Sequence, residues 1–239
     1  MPVIEALTDD SLTVDQVYVA TDVVKATARQ IASLASSRGV AVHYVGRDRV
    51  TRISGTGKPH QGVAADVVAP NRRSLEGWLA ELGASAPAVC VVLDGITTPA
   101  NVGMIIRSAV GAGLDGIIVP SRGVADLGPM VIKASAGTAF HAPLLRVRTA
   151  VEAAQLLVDA RFDLVALNPR GDTELWDADL GPRTAFVLGG EHAGLSDEVS
   201  GLVTRSVCVP LADGVESLNV AAAAAIVFFE ARRRAPRGG

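Results

Sequence analysis

The second half of the chain alternates uninterrupted apolar strands with helices, and this pattern constrains the fold more than any other feature. The predicted strand Ala88–Leu93 has no polar position, and further apolar strands are predicted at residues 116–119, 164–167, 185–188 and 206–209. A strand without polar alternation is buried on both faces, which is typical of a parallel sheet covered by helices. Helical periodicity between the strands predicts helices at residues 99–112, 129–136, 150–160 and 219–234. We therefore predict an α/β fold with a mostly parallel sheet over residues 88–239.

A smaller α/β unit is predicted ahead of this domain. Its pattern indicates strands at residues 14–20, 40–45 and 62–68 and helices at residues 23–37 and 47–53. The intervening stretch is rich in proline and glycine and contains one short amphipathic helix, which is typical of a linker. The predicted organisation is a first domain at residues 1–70, a linker at 71–87 and a second domain at 88–239.

The charge distribution of the first domain is uneven. The whole chain has a net charge of −3, so its overall charge does not favour a polyanionic partner. Between residues 25 and 58, however, a single acid, Asp48, faces a run of basic residues: Lys25, Arg29, Arg38, Arg47, Arg49, Arg52 and Lys58. Such a run is either a solvated helix face or an electrostatic surface for nucleic acid.

Several classes of protein are disfavoured by composition. Cys90 and Cys208 each lie between valines, which indicates two free thiols rather than a disulfide or a metal pair. The four histidines have no metal-ligand spacing, so no metal site is expected. No apolar run approaches the ~20 residues of a membrane span. We therefore expect a cytoplasmic protein that does not enter the membrane.

Polar residues and glycines gather at three junctions that follow predicted strands. The first junction carries Asn101 and Arg107, and the other two carry Gly189-Gly190-Glu191 and Ser217 with Asn219. Structural explanations exist for each junction, namely a surface ion pair, a tight turn and a helix cap. Because ligands gather beyond the carboxyl ends of strands in such sheets, we expect the three junctions to form one composite site.

One motif matches a dinucleotide-binding fingerprint in letters only. Residues 111–116, GAGLDG, fit the pattern G-x-G-x-x-G. That fingerprint must follow a strand and open a helix. Here it ends a predicted helix and precedes a predicted strand, which indicates a helix C-cap and a turn.

Together the three junctions resemble the SpoU family of RNA ribose 2′-O-methyltransferases, within the SPOUT superfamily. The motifs are LD…PANVG…R at residues 93–107, FVLGGE…G at 186–194 and VPL…SLNV at 209–220, and the segment KASAG at 133–137 is also similar. The first domain is similar to a ribosomal-protein-like RNA-binding domain, with HQGV at residues 60–63 as its closing signature. Residues 1–7 resemble the middle of that domain's opening helix, so a native start upstream is expected.

The resemblance implies a cofactor and a set of site residues. The family uses S-adenosylmethionine, bound in a C-terminal trefoil knot, and the corresponding cofactor residues here are Leu188, Gly189, Gly190, Val209, Leu211 and Leu218. The implied catalytic residues are Arg107 for the substrate phosphate and deprotonation, Asn101 and Glu191 for orientation, and Ser217 and Asn219 for ordering the loop. The basic residues proposed to bind RNA are Lys25, Arg29, Arg47, Arg49, Arg52 and Lys58.

The resemblance also implies a homodimer. The last predicted helix, at residues 219–234, is apolar nearly all round, so most of its faces must be buried. An interface with a second copy would bury them.

Four questions of function stay open. The first domain favours 23S ribosomal RNA over transfer RNA as the substrate. The same motifs fit a ribosomal RNA methyltransferase that confers antibiotic resistance, and a SPOUT enzyme that methylates a base, although Asn101 and Arg107 favour ribose chemistry. A non-catalytic RNA-binding relative is disfavoured by the intact set of polar residues.

Overall fold

Two sheets of different size organise the protein. The computed structural model describes residues 2–10, 12–54, 61–68, 73–191 and 193–235. A three-stranded sheet lies in the N-terminal part and an eight-stranded sheet in the C-terminal part.

The N-terminal part is a small α/β unit, as predicted. Its elements are α1 (Pro2–Thr8), β1 (Thr13–Ala20), α2 (Lys25–Ser37), β2 (Ala41–Val45), α3 (Arg47–Ser54) and β3 (Val63–Val68). The strand order is β2-β1-β3, with β2 parallel and β3 antiparallel to β1. Alternation along β1 buries Val17 and Val19 fully in a core shared with Ile31 of α2, because successive residues of a strand face opposite sides of the sheet.

The C-terminal part is built on a wholly parallel sheet. Its strands are β4 (Arg73–Ser74), β5 (Ala88–Leu93), β6 (Gly116–Pro120), β7 (Leu144–Val147), β8 (Asp163–Leu167), β9 (Thr173–Glu174), β10 (Arg183–Leu188) and β11 (Arg205–Cys208). Its helices are α4 (Leu75–Leu82), α5 (Pro99–Ala112), α6 (Pro129–Ala134), α7 (Ala150–Asp159), α8 (Asp197–Ser200) and α9 (Val220–Arg234). The order β4-β7-β6-β5-β10-β8-β11-β9, with parallel pairing throughout, confirms the predicted fold class.

Helices cover both faces of this sheet. Val91 and Leu93 of β5 point into a core shared with α5 and α9, whereas Cys90 and Val92 point into a second core shared with α4 and α7. This double burial explains why β5 has no polar position. Burial also raises the pKa of the Cys90 thiol, whereas Cys208 is only partly buried, because β11 lies near the edge of the sheet.

The segment for which the sequence suggested a linker packs against the larger sheet where it is described. Strand β4 pairs with β7. Leu75 and Trp78 of α4 are buried in the core on that face of the sheet. Ser74 caps α4 by accepting a hydrogen bond from the Gly77 amide.

Several short elements were not predicted. Strands β4, β7 and β9 and helix α8 have only two to four residues each, which are too few to show a pattern. Helix α6 ends at Ala134 rather than at residue 136, where the backbone of Ala136 has left the helical region with a φ of 51°.

The arginines at the end of α9 bond this helix to a neighbouring segment of the chain. Arg234 donates hydrogen bonds to the carbonyl groups of Leu175 and Trp176, and the Glu230 carboxylate accepts from Arg233 and Arg234. These contacts lower the pKa of Glu230 to about 2. The end of α9 is thereby fixed to the chain segment that follows β9.

The two parts touch through the segment that follows α6. Phe140 packs against the core of the small sheet, and His141 Nε2 lies 2.5 Å from a carboxylate oxygen of Asp9.

Within the small domain, Arg38 donates to the carbonyl groups of Ala6 and Asp9. The basic residue Arg38 is therefore used inside the fold.

A close crossing of α5 and α6 generates a prediction about stability. A Cβ atom at Gly103 would lie 2.5 Å from Ala134 Cβ and 2.6 Å from the Val131 carbonyl oxygen. We expect Gly103→Ala to lower the free energy of unfolding by about 1–3 kcal/mol through overpacking. Urea or thermal unfolding measures the change.

Gly111 on the same helix is the matched control. A Cβ there would meet only Phe229 Cζ, at 3.7 Å. Gly111→Ala should leave stability unchanged or raise it by up to about 1 kcal/mol, because alanine favours the helix. Equal stability of the two variants would contradict the packing argument.

Candidate functional site

A pocket opens at the carboxyl edge of the larger sheet. It has a volume of about 710 Å³, within the range of small-molecule sites. The segments that follow β8, β10 and β11 line it with these residues: Asn168, Pro169, Leu188, Gly189, Gly190, Glu191, Val209, Leu211, Ser217, Leu218 and Asn219. All six residues predicted to bind a cofactor are among them.

A hydrogen-bonded triangle of side chains lies beside this pocket, and two of its members, Glu191 and Asn219, line it. Asn101 Nδ2 donates to Glu191 Oε1 across 3.0 Å, and Asn219 Nδ2 donates to the same oxygen across 2.6 Å. Asn219 Nδ2 also donates to Asn101 Oδ1 across 3.1 Å. The triangle joins the three junctions, because each residue comes from a different one. Bonds to a carboxylate are among the stronger hydrogen bonds.

Asn219 serves the helix and the triangle with different atoms. Its Oδ1 accepts from the backbone N–H groups of Ala221 and Ala222 and so caps α9. Asparagine is a preferred N-cap residue because its oxygen satisfies amides that lack partners in the first turn. The cap therefore directs the amide nitrogen toward Glu191.

The loop after β10 is folded tightly on itself. Gly190 and Gly194 exchange backbone hydrogen bonds of 3.0 and 2.9 Å. A Cβ at Gly189 would lie 2.3 Å from the Gly194 carbonyl carbon, and one at Gly190 would lie 2.7 Å from the Gly95 oxygen. Contact between backbones alone thus requires glycine at both positions. Close approach of a ligand is not needed to explain these two glycines.

Asp94 fixes the far end of the same loop. Its Oδ2 accepts from the Ser196 backbone amide across 2.7 Å and from the Ser196 hydroxyl across 2.9 Å. Asp94 directly follows β5 and is only 9% exposed. The wall of the pocket is therefore attached to the central strand of the sheet.

Arg107 lies apart from the triangle. It is exposed, and it makes no hydrogen bond or ion pair with any residue that the structure describes. Six residues of helix separate it from Asn101 by about 9 Å along the axis and about 240° around it. Within one chain, the structure brings Asn101, Glu191 and Asn219 together and leaves Arg107 on another face of α5.

The sequence analysis missed several pocket residues, among them the polar residues Asn168, Ser200 and Ser206. Asn168 follows the apolar strand β8, so the same strand-end signal could have found it. Ser206 lines the pocket from within β11, and its buried hydroxyl has no hydrogen-bond partner among the described residues. A serine inside a short strand gives no such signal. Ser217, which was predicted, is exposed on the pocket wall.

Comparison with known families gives the site a context. The sequence pattern of the SpoU rRNA Methylase family matches residues 88–229. The chain belongs to the SpoU rRNA Methylase family. A second pattern, RNA 2′-O ribose methyltransferase substrate binding, matches residues 1–73, which contain the small sheet.

Relatives within the SpoU family include longer proteins. A Staphylococcus saprophyticus protein named for the TrmH family of tRNA/rRNA methyltransferases is 29% identical over 93% of this chain and 89% of its own length. An uncharacterized tRNA/rRNA methyltransferase of Mycolicibacterium vanbaalenii is 34% identical over 84% of this chain. The chain covers only 64% of that mycobacterial relative.

Solved SpoU structures share the whole architecture. The SpoU methyltransferase AviRb of Streptomyces viridochromogenes, in complex with AdoMet, matches 100% of this chain and 89% of its own, with a TM-score of 0.78 and 26% identity. A structure titled RNA 2′-O ribose methyltransferase matches 98% of this chain and 86% of its own, with a TM-score of 0.72 and 27% identity.

The basic residues of this SpoU protein's small domain divide into two groups. Lys25, Arg29, Arg49 and Arg52 are exposed and make no hydrogen bond or ion pair within the described part of the chain. Arg47 is paired with Asp22 across 2.6 Å, which raises the pKa of Arg47. Lys58 lies outside the described residues.

The described residues contain neither a metal-binding cluster nor a membrane-spanning helix. No group of histidine, cysteine, aspartate and glutamate side chains there could hold a metal ion. In the same ranges, no helix combines the length and apolar character needed to cross a membrane.

The dual use of Asn219 generates a prediction. Asn219→Asp keeps the helix cap, because aspartate caps as well as asparagine. It places a second carboxylate against Glu191 where an amide donor was. We expect a loss of about 1–3 kcal/mol in the free energy of unfolding and faster amide hydrogen exchange at residues 189–191 and 193–195.

A second change separates the triangle from the cap. Adding Glu191→Gln to Asn219→Asp restores a donor and an acceptor, so both stability and exchange protection should recover. If Glu191→Gln gave no recovery in the Asn219→Asp background, the triangle would not be what orders the loop.

Proposed function

We propose that this chain transfers a methyl group from S-adenosylmethionine to a ribose 2′-hydroxyl of RNA. The observation that carries the proposal is the polar triangle Asn101–Glu191–Asn219, two members of which line a pocket of cofactor size. It is supported by the family match at residues 88–229 and by the RNA 2′-O ribose substrate-binding pattern at residues 1–73.

The pocket fits the cofactor in its chemistry. Apolar walls from Leu188, Leu211 and Leu218 suit an adenine ring. The buried Ser206 hydroxyl, which has no partner among the described residues, suits a polar edge of the same ligand, because buried polar groups are normally hydrogen-bonded. The bound cofactor supplies an activated methyl group on a sulfonium centre. We infer that the chain around this pocket forms the trefoil knot implied by the family.

The residues of the triangle orient the reacting groups. Transfer requires the ribose hydroxyl to lose its proton and to be aligned with the methyl group. Asn101 and Asn219 are held in one arrangement by Glu191 Oε1, whereas Glu191 Oε2 accepts no hydrogen bond from the described residues. We assign Glu191 to orienting the two amides, Asn101 to positioning the ribose and Ser217 to ordering the loop that bears Asn219.

Arg107 is proposed to hold the substrate phosphate. A guanidinium group stays protonated and offers a planar fork of donors that matches a phosphate. Its exposed position, without a partner among the described residues, leaves those donors available to the substrate. A role as base is less compatible with this setting, because the group would have to lose a proton in contact with solvent.

Arg107→Gln tests this role. We expect the methyl-transfer rate to fall by about 10²–10⁴-fold, or about 3–5 kcal/mol of barrier, while cofactor affinity stays unchanged. Single-turnover transfer to RNA and calorimetric titration of S-adenosylmethionine measure the two quantities. The control is Arg161→Gln, since Arg161 is also exposed but precedes β8 at the opposite edge of the sheet. Turnover of Arg107→Gln near that of this control would refute the role.

We further propose a homodimer through the faces of α5 and α9. Phe229 is 51% exposed and Met104 is 40% exposed, although both lie on helices that pack together. A Cβ at Gly111 would lie 3.7 Å from Phe229 Cζ, so the exposed Phe229 lies directly beside α5. Arg107 lies between Met104 and Gly111 on α5, so pairing of two copies would bring it to the interface.

Sedimentation tests the dimer. The wild-type chain should sediment as a dimer, and the double variant Met104→Glu with Phe229→Glu as a monomer, because two charges would be buried without partners. Tyr44→Glu, an equally exposed aromatic position on the small domain, should remain dimeric. A monomeric wild type would refute the proposal.

Ribosomal RNA is the proposed substrate in preference to transfer RNA. The name of the matched family and the presence of the substrate-binding domain support this choice. A structure titled for 2-OH methylation of C/U34 on tRNA matches only 62% of this chain, with a TM-score of 0.54 and 25% identity. Mapping 2′-O-methyl groups in RNA from cells with and without the gene identifies the target and distinguishes housekeeping from resistance.

A further inference from the structure

Three connections meet at one edge of the small sheet. The Thr21 amide donates to the Val45 carbonyl across 3.0 Å, and the Ala20 amide donates to the Gly62 carbonyl across 2.7 Å. The ion pair between Arg47 and Asp22 joins the start of α3 to the connection after β1. The carboxyl ends of β1 and β2 therefore form one fixed edge together with the start of β3.

Two large side chains at this edge are largely exposed. Val24 is 71% exposed and Tyr44 is 57% exposed. Tyr44 lies on the same side of β2 as Val42, which packs against the core, but β2 is an edge strand, so much of the tyrosine stays exposed. Val24 opens α2 three residues after Thr21, which is bonded to the residue next to Tyr44.

Three basic residues lie on the elements that meet at this edge. Lys25 and Arg29 follow Val24 along α2, on the face of the sheet that carries Tyr44. Arg49 lies in the first turn of α3, which packs on the opposite face. All three are exposed and unpaired among the described residues. Of the nearby acids, Asp22 is paired with Arg47, and Asp48 is exposed beside Arg49. The edge thus combines an exposed aromatic ring with several free cations.

We propose that this edge, formed by Val24, Lys25, Arg29, Tyr44 and Arg49, binds an unpaired nucleotide of the RNA substrate. The base stacks on the Tyr44 ring beside Val24, and the cations contact the flanking phosphates. The inference rests on the proposed function and adds the kind of RNA recognised. In a duplex the base faces are covered by their neighbours, so an aromatic side chain can stack only on bases of loops, bulges or single strands.

RNA binding tests the aromatic part of this site. Fluorescence anisotropy compares the binding of two labelled RNAs of equal length. One is a hairpin with an unpaired loop, and the other is a fully paired duplex. Tyr44→Ala should weaken hairpin binding about 5- to 100-fold, the range found when a stacking side chain is removed, and should leave duplex binding almost unchanged. Tyr44→Phe should bind the hairpin as the wild type does.

Matched variants distinguish stacking from charge. Trp176→Ala removes another exposed aromatic ring, 47% exposed and in the larger domain, and should bind as the wild type does. Arg49→Gln should weaken both RNAs and lower the slope of log affinity against log salt by about one. A hairpin affinity of Tyr44→Ala equal to that of the wild type overturns the proposal, as does an equal loss of hairpin and duplex binding.

A methyl-transfer assay distinguishes failure of the nucleotide site from failure of the proposed function. If the wild type methylates RNA and Tyr44→Ala does so equally well at subsaturating RNA, only the nucleotide site is refuted. If the wild type binds S-adenosylmethionine but neither binds nor methylates RNA, the proposed function fails and this site fails with it. The exposed ring at Tyr44 would then belong to an interface with a protein.

Discussion

The hydrogen-bonded triangle of Asn101, Glu191 and Asn219 is the interaction on which the site depends. Its members lie 118 residues apart at the extremes, yet a few ångströms separate their polar atoms. Only a parallel sheet that places β5 beside β10, with β8 and β11 next in order, brings those strand ends to one edge. The triangle then fixes the amide groups that face the pocket.

Tight packing between backbones makes this arrangement rigid. The loop after β10 closes on itself through Gly190 and Gly194 and rests on Gly95, while Asp94 holds its far end at Ser196. Side chains are excluded from these contacts, because a single Cβ would overlap a neighbouring backbone atom. Rigidity matters in a site whose chemistry depends on the alignment of two reactants.

The basic residues show that charge alone does not identify a binding surface. Arg38 and Arg47 belong to the same basic run as Lys25 and Arg49. Arg38, however, donates hydrogen bonds to backbone carbonyl groups, and Arg47 forms an ion pair with Asp22. Arg234 is likewise committed to the segment after β9. Three of the cations without partners among the described residues, Lys25, Arg29 and Arg49, lie on elements that meet near the strand end carrying the exposed Tyr44. This conjunction, rather than their number, marks the surface proposed for RNA.

By itself the sequence determined the class of the fold and the junctions that carry the chemistry. The sequence gives the bounds of the strand Ala88–Leu93 because burial on both faces of the sheet makes every position apolar. It gives the bounds of the helix Pro99–Ala112 because one buried stripe and the residues at its two ends leave a local pattern. Asn101, Glu191 and Asn219 were found because polar residues at strand ends are expected to face ligands.

The tertiary structure alone decided which residues meet. The order of the strands, the pocket position of Ser206 and the pairing of Arg47 with Asp22 depend on contacts between distant segments, and these leave no periodic trace. It also decided that the glycines of the loop serve backbone contacts. Local patterns record which side of an element is buried, whereas only the packed chain settles what it is buried against.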